Sequence, residues 1–100
     1  MDEIILLVMG LLISAMGIVN ICGNVSTIHS YNRRKVAEED IPKYGRAVGV
    51  GTLIIGASLV AAYVLTLFEL DMAGYVIIPA AAVGLGFIIY GQIKYNKGIF

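Results

Sequence analysis

Tyr31-Asn32-Arg33-Arg34-Lys35-Val36-Ala37-Glu38-Glu39-Asp40-Ile41-Pro42-Lys43-Tyr44-Gly45-Arg46 separates two long apolar runs, and the rest of the chain is read outward from it. Of the 7 basic residues in the chain, Arg33, Arg34, Lys35, Lys43 and Arg46 fall inside this stretch, while Lys94 and Lys97 lie in the C-terminal tail. Uncharged apolar runs cover residues 4–28, 47–68 and 72–93. Each meets the roughly 20 residues that a helix needs to cross a bilayer. The N-terminus and the connection between the second and third runs hold no Lys or Arg, only Asp2, Glu3, Glu69 and Asp71. Basic residues collect on the cytoplasmic side of membrane proteins, so the expected orientation is N-terminus outside and C-terminus in the cytoplasm.

Composition points the same way. With 59% hydrophobic residues, 14% charged and a mean hydropathy of +0.89, the chain is far more apolar than a soluble domain, where about 25% charged is usual. A net charge of zero argues against nucleic acid as a partner, since that binding needs a basic surface able to displace counterions. The single cysteine, Cys22, has no partner for an intramolecular disulfide and reads as an inert thiol in a reducing or lipid-buried setting. The first run is not expected to be cleaved. It opens Met1-Asp2-Glu3 without a basic region and is longer than the roughly 7–15 apolar residues of a signal peptide.

The expected fold is all-α, one membrane domain over residues 1–100, built as an integral membrane bundle of three antiparallel transmembrane helices. The first spans about residues 4–28 and continues to about 35, the second about 42–68, and the third about 72–93. Asp40 is placed to cap the second helix, with Glu38 and Glu39 beside its positive end and Pro42 in its first turn. Helices 1 and 2 would then leave the membrane as a cytoplasmic hairpin, with Tyr31 and Tyr44 packing as they emerge.

Small residues recur at alternating steps of four and three, and this marks contact faces. Gly10, Ser14 and Gly17 lie on such a stripe in the first helix, Gly49 and Gly56 in the second, and Gly84 in the third. Helices in lipid associate through close packing and interhelical hydrogen bonds, which small residues permit. Val60, off the stripe, reads as lipid-facing. Asn20 and Asn24 are amides within a span, each able to set register through a hydrogen bond worth about 0.6–2 kcal/mol. Pro79 should kink the third helix or free a carbonyl near Tyr75.

No constellation specifies a reaction. The spans hold no ionisable side chain of the kind that marks proton relays, ion pathways or voltage sensors. His29 stands without a second ligand at metal-binding spacing, and the glycines of residues 45–51 lack the pattern of a phosphate-binding loop. No catalytic, cofactor or metal residue is therefore assigned, and an enzyme is not expected.

The inter-span stretch holds the most specific information. Arg33, Arg34, Lys35 and Arg46, with Tyr31 and Asn32, suit anionic lipid headgroups at about 1 kcal/mol per basic residue. Together with Gly49-Val50-Gly51-Thr52-Leu53-Ile54-Ile55-Gly56, its Tyr-Asn pair, acidic turn and Lys43-Tyr44-Gly45 resemble a family of small uncharacterised three-span bacterial membrane proteins, common in Gram-positive species and catalogued only as a domain of unknown function. The resemblance implies architecture and no activity. It covers most of the chain in layout and about thirty residues in detail. Two roles follow as expectations: a structural or regulatory membrane protein acting through a protein partner or self-association, and, as the alternative, a minimal channel or transporter working as a homo-oligomer.

Overall fold

The structure, a computed structural model, describes residues 3–23, 36–69 and 71–96. They form three α-helices: α1 over Ile4–Ile21, α2 over Ile41–Leu67 and α3 over Ala73–Tyr95. A single 3-10 turn over Glu38–Asp40 leads into α2, and no strand is present among the described residues. All three helices are long and apolar enough to cross a membrane. At 1.5 Å per residue, the 18, 27 and 23 residues correspond to about 27, 40 and 35 Å. The molecule measures 47 × 20 × 18 Å, close to the roughly 40–45 Å of a bilayer with its headgroups.

α2 is the central element. Its most apolar window is 33% buried, against 17% in each of α1 and α3, and the extensive helix contacts are α1 with α2 and α2 with α3. The reason lies in the spacing of its small residues. Gly49, Leu53, Gly56 and Val60 meet α1, whereas Ala47, Val48, Gly51 and Ile55 meet α3. Gly49 and Gly51 are two residues apart and therefore about 200° apart around the helix. The helices consequently lie in a row with α2 in the middle.

The contacts are backbone to backbone at several points. A Cβ added at Gly17 would lie 2.8 Å from the Gly49 carbonyl oxygen, and one at Gly49 would lie 2.6 Å from that of Gly17. A Cβ added at Gly10 would lie 2.9 Å from the Gly56 carbonyl oxygen, and one at Gly56 would strike the Ser14 hydroxyl. On the other side of α2, a Cβ added at Gly84 would lie 2.6 Å from the Gly51 carbonyl oxygen, and Gly91 lies against Ala47 and Val48. The remaining surface is apolar. Leu12 is 58% exposed, Ile78 71% and Ile93 58%, an apolar surface of the kind that membranes or protein partners cover.

Two readings are corrected here. The sequence predicts a first helix unbroken through Ile28, but α1 ends at Ile21. The Cys22 N–H donates to the Ile18 carbonyl at 3.0 Å, the Gly23 N–H donates to that of Asn20 at 3.0 Å, and Gly23 takes φ 100°. That conformation is open to glycine and closes helices. The expected continuation to residue 35 lies outside the described residues. Val60 is not lipid-facing: its Cγ2 would meet a Cβ at Gly10 at 2.7 Å, because α1 packs along that side of α2.

The helix boundaries have local causes. α2 starts at Ile41 with Asp40 in the N-cap position, yet the Asp40 side chain makes no capping hydrogen bond. Its backbone N–H is instead taken by the Ala37 carbonyl at 2.8 Å. The three carboxylates of the 3-10 turn thus meet the positive end of α2 through charge rather than through a cap. At the other end, the Phe68 N–H donates to Leu65 at 3.1 Å and the Glu69 N–H to Thr66 at 3.0 Å. Glu69 has φ 58°, so a charged residue occupies a left-handed position that glycine usually fills. α3 continues through Pro79 to Tyr95.

Candidate functional site

The basic side chains of the described structure stand at one end of the bundle, and acidic side chains stand at both. Glu3 shares a surface recess with Tyr63, Thr66 and Leu67, and Glu69 and Asp71 flank the α2–α3 connection at that same end of α2. At the other end Lys43 and Arg46 of α2 line a furrow with Tyr90 and Tyr95 of α3, and Lys94 sits beside them. The acidic turn at Glu38–Asp40 is also on this side, next to the start of α2.

Beneath the basic rim is a buried polar cluster. Tyr44 and Asn96 are fully buried and Gln92 nearly so. The Tyr44 hydroxyl donates to Gln92 Oε1 across the α2–α3 contact, and Val48 completes the core with Val36, Ile41, Ile88 and Tyr95 packed around it. Tyr44 faces inward because it lies on the same side of α2 as Val48 and Gly51, the side that receives α3. In an apolar surrounding an unmade hydrogen bond is costly. The Tyr44–Gln92 pair therefore acts as a register pin between two otherwise apolar helices.

At the surface, Lys94 is held by two aromatic rings. Its Nζ donates to the Tyr90 hydroxyl at 2.9 Å and lies 5.3 Å from the Tyr90 ring centroid and 5.6 Å from that of Tyr95. Those rings meet edge to face, with centroids 6.3 Å apart and planes at 88°. The ammonium meets Tyr90 at the hydroxyl end of its ring, and near the Tyr95 ring it is attracted by the ring quadrupole. The ammonium is thereby fixed at the outer end of α3.

Other candidates from the sequence fall into place around this end. Arg46 is exposed in the furrow. Asn20, one residue before the end of α1, is buried. Gly10, Ser14, Gly17, Gly49, Gly56 and Gly84 lie at the helix contacts given above. Asn24, Tyr31, Asn32, Arg33, Arg34 and Lys35 lie outside the described residues. Cys22 is exposed on the protein surface and not held in a protein interior. The Ser and Thr hydroxyls of α2 donate to carbonyls of their own helix: Thr52 to Val48 at 2.9 Å, Ser58 to Ile55 at 2.6 Å and Thr66 to Tyr63 at 2.6 Å.

Gln92 and Tyr90 carry no expectation from the sequence, and Lys94 enters there only as a basic residue of the C-terminal tail. Two signals were present. Gln92 is an amide in the final turn of an apolar run, and Tyr90 and Lys94 stand four residues apart, where helical side chains touch. Neither a protein-family model, nor a curated protein, nor a solved structure matches this chain.

Proposed function

We propose that the chain is a small, non-enzymatic, multi-pass membrane protein whose helices run antiparallel, with the N-terminus outside and the C-terminus in the cytoplasm, and that it acts through contacts made at its basic end. The observation that carries this reading is the one-sided placing of the basic residues: among the described residues Lys43, Arg46 and Lys94 all stand at one end, beside the acidic turn Glu38–Asp40, while the other end holds only the acidic Glu3, Glu69 and Asp71. The antiparallel course is supported by the order of contacts, because residue numbers climb along α1 from Gly10 to Gly17 while their partners on α2 fall from Gly56 to Gly49. The same inversion relates Gly84 and Gly91 to Gly51 and Ala47.

A structural or regulatory role fits the row of helices better than a solitary channel. In a row, neither α1 nor α3 closes a path around α2. The resemblance to three-span bacterial proteins of unknown function agrees with this layout. The cytoplasmic surface offered to a protein partner or to a second copy is the acidic turn Glu38–Asp40 beside the basic rim.

The full chain, reconstituted in liposomes, tests the reading. Ion and small-solute flux should match that of protein-free vesicles. Replacing Glu38, Glu39 and Asp40 by Lys should change cross-linking to the partner or to a second copy without reducing insertion. Flux above that of protein-free vesicles would replace this reading with that of an oligomeric channel.

A further inference from the structure

We propose that the furrow between α2 and α3 is a binding site for one anionic phospholipid, with its phosphate held by Lys43, Arg46 and Lys94 and an acyl chain lying inward past Phe87. The proposal deepens the membrane reading above and rests on it. It separates a built site from the general attraction of a basic surface for anionic lipid.

Three observations carry it. The first is the chemistry of the lining. The furrow, about 350 Å³ in volume, is lined by Lys43, Arg46, Ala47, Val50, Phe87, Tyr90 and Tyr95, with no carboxylate. Its polar side chains are thus two cations and two phenols, a set that suits an anion. Lys94 adds a third cation, already oriented by Tyr90 and Tyr95. Because the Tyr90 hydroxyl accepts from Lys94, its own proton remains to donate to a phosphate oxygen. Arginine matches phosphate with two parallel N–H donors.

The second is depth. Ala47 to Leu67 on α2 and Ala73 to Ile93 on α3 each span about 30 Å of helix, the thickness of the hydrocarbon layer. Lys43, Arg46 and Lys94 lie within about one turn beyond those limits, where lipid phosphates sit.

The third is continuity. A second, shallow depression of about 380 Å³ on the face of α3, lined by Val83, Gly86, Phe87 and Tyr90, adjoins the first through the shared Phe87 and Tyr90. It is almost wholly apolar. Gly86 leaves it open, since a Cβ there would meet nothing within 4 Å. From Tyr90 to Val83 the depression descends about 10 Å along α3, which accommodates the upper half of an acyl chain. A free phosphate would use the rim and ignore this extension. A phospholipid uses both.

Native mass spectrometry of the detergent-solubilised full chain, titrated with dioleoyl-phosphatidylglycerol and dioleoyl-phosphatidylcholine, provides the test. The wild type should retain one phosphatidylglycerol in preference to phosphatidylcholine. Lys43→Gln with Arg46→Gln should weaken that retention roughly thirtyfold, at the contribution expected for two basic residues near a lipid surface. Gly86→Phe, placed where the structure has room, should displace the lipid while leaving the helices folded by circular dichroism. Equal loss on removing Arg33 and Arg34 instead would show a diffuse basic surface and overturn the site. Retention unaffected by Gly86→Phe, or abolished by millimolar inorganic phosphate, would show an anion site without an acyl subsite and overturn it too. The titration is done in detergent, so a failed orientation leaves its result unaffected and the two readings fail separately.

Discussion

Gly51, Gly84 and Gly86 show how unequal glycines of one contact region can be. A Cβ at Gly51 would strike the Gly84 carbonyl, and one at Gly84 would lie 2.6 Å from the Gly51 carbonyl, but Gly86 faces open space. Gly51→Ala and Gly84→Ala should each destabilise the α2–α3 pair by about 1–3 kcal/mol, as overpacking does. Gly86→Ala should be neutral or stabilising, by up to about 1 kcal/mol from helix propensity. Unfolding in mixed detergent micelles checks the contrast, and equal effects at Gly51 and Gly86 would contradict the packing. Tyr44 and Gln92 allow a second prediction at this scale. In a double-mutant cycle, Tyr44→Phe and Gln92→Leu should couple by about 1 kcal/mol, the usual worth of an interhelical hydrogen bond in a membrane protein. Additive losses would remove the pin. The sequence made the small-residue stripes legible because steric size repeats with helical period. It did not reveal Gly51, because one stripe was assigned to α2 and a central helix has two contact faces. The Tyr44–Gln92 pair was hidden for a different reason: its members are 48 positions apart, and nothing local in either segment announces the other.

At the scale of elements, α1 ends where backbone conformation dictates and not where apolar composition does. Hydropathy continues past Ile21, so a reading by apolar length carries the first span to Ile28, while Gly23 at φ 100° stops it. The signal was a glycine followed by asparagine, the pair that favours left-handed helix termination. The second and third helices were legible within two or three residues, because the turn at Glu38–Asp40 and the pair Glu69 and Asp71 interrupt the apolar pattern by charge. Glu69 and Gly23 yield paired predictions. Glu69→Gly relieves a left-handed side chain and should stabilise the α2–α3 connection by about 0.5–1 kcal/mol. Gly23→Ala imposes one and should cost about 1–2 kcal/mol, even though a Cβ there would meet no atom within 4 Å. The same thermal or detergent unfolding assay reads both, and a tolerated Gly23→Ala would mean that α1 ends for another reason.

For the whole molecule, the arrangement in a row joins folding to orientation. α2 supplies both contact faces, so inserting it alone exposes two glycine seams, and each neighbour covers one. The charged residues then fall at the two ends without any passing through the apolar middle, and the bias of basic residues toward the cytoplasm selects between the two ways of inserting such a molecule. This predicts that cysteines placed at Asp2 and Leu70 react with a membrane-impermeant maleimide added to intact cells, whereas those at Lys35 and Lys97 react only after the membrane is opened. The assay needs a Cys22→Ala background, since the native thiol is exposed at the end of α1. Labelling of position 70 from the cytoplasmic side alone would invert the molecule. If Lys43, Arg46 and Lys94 set the orientation, replacing them together with Arg33, Arg34 and Lys35 by Gln should produce mixed labelling at Leu70. The same six substitutions leave Gly17, Gly49, Gly51 and Gly84 in place, so the helices should still pack in their row in whichever direction the chain inserts.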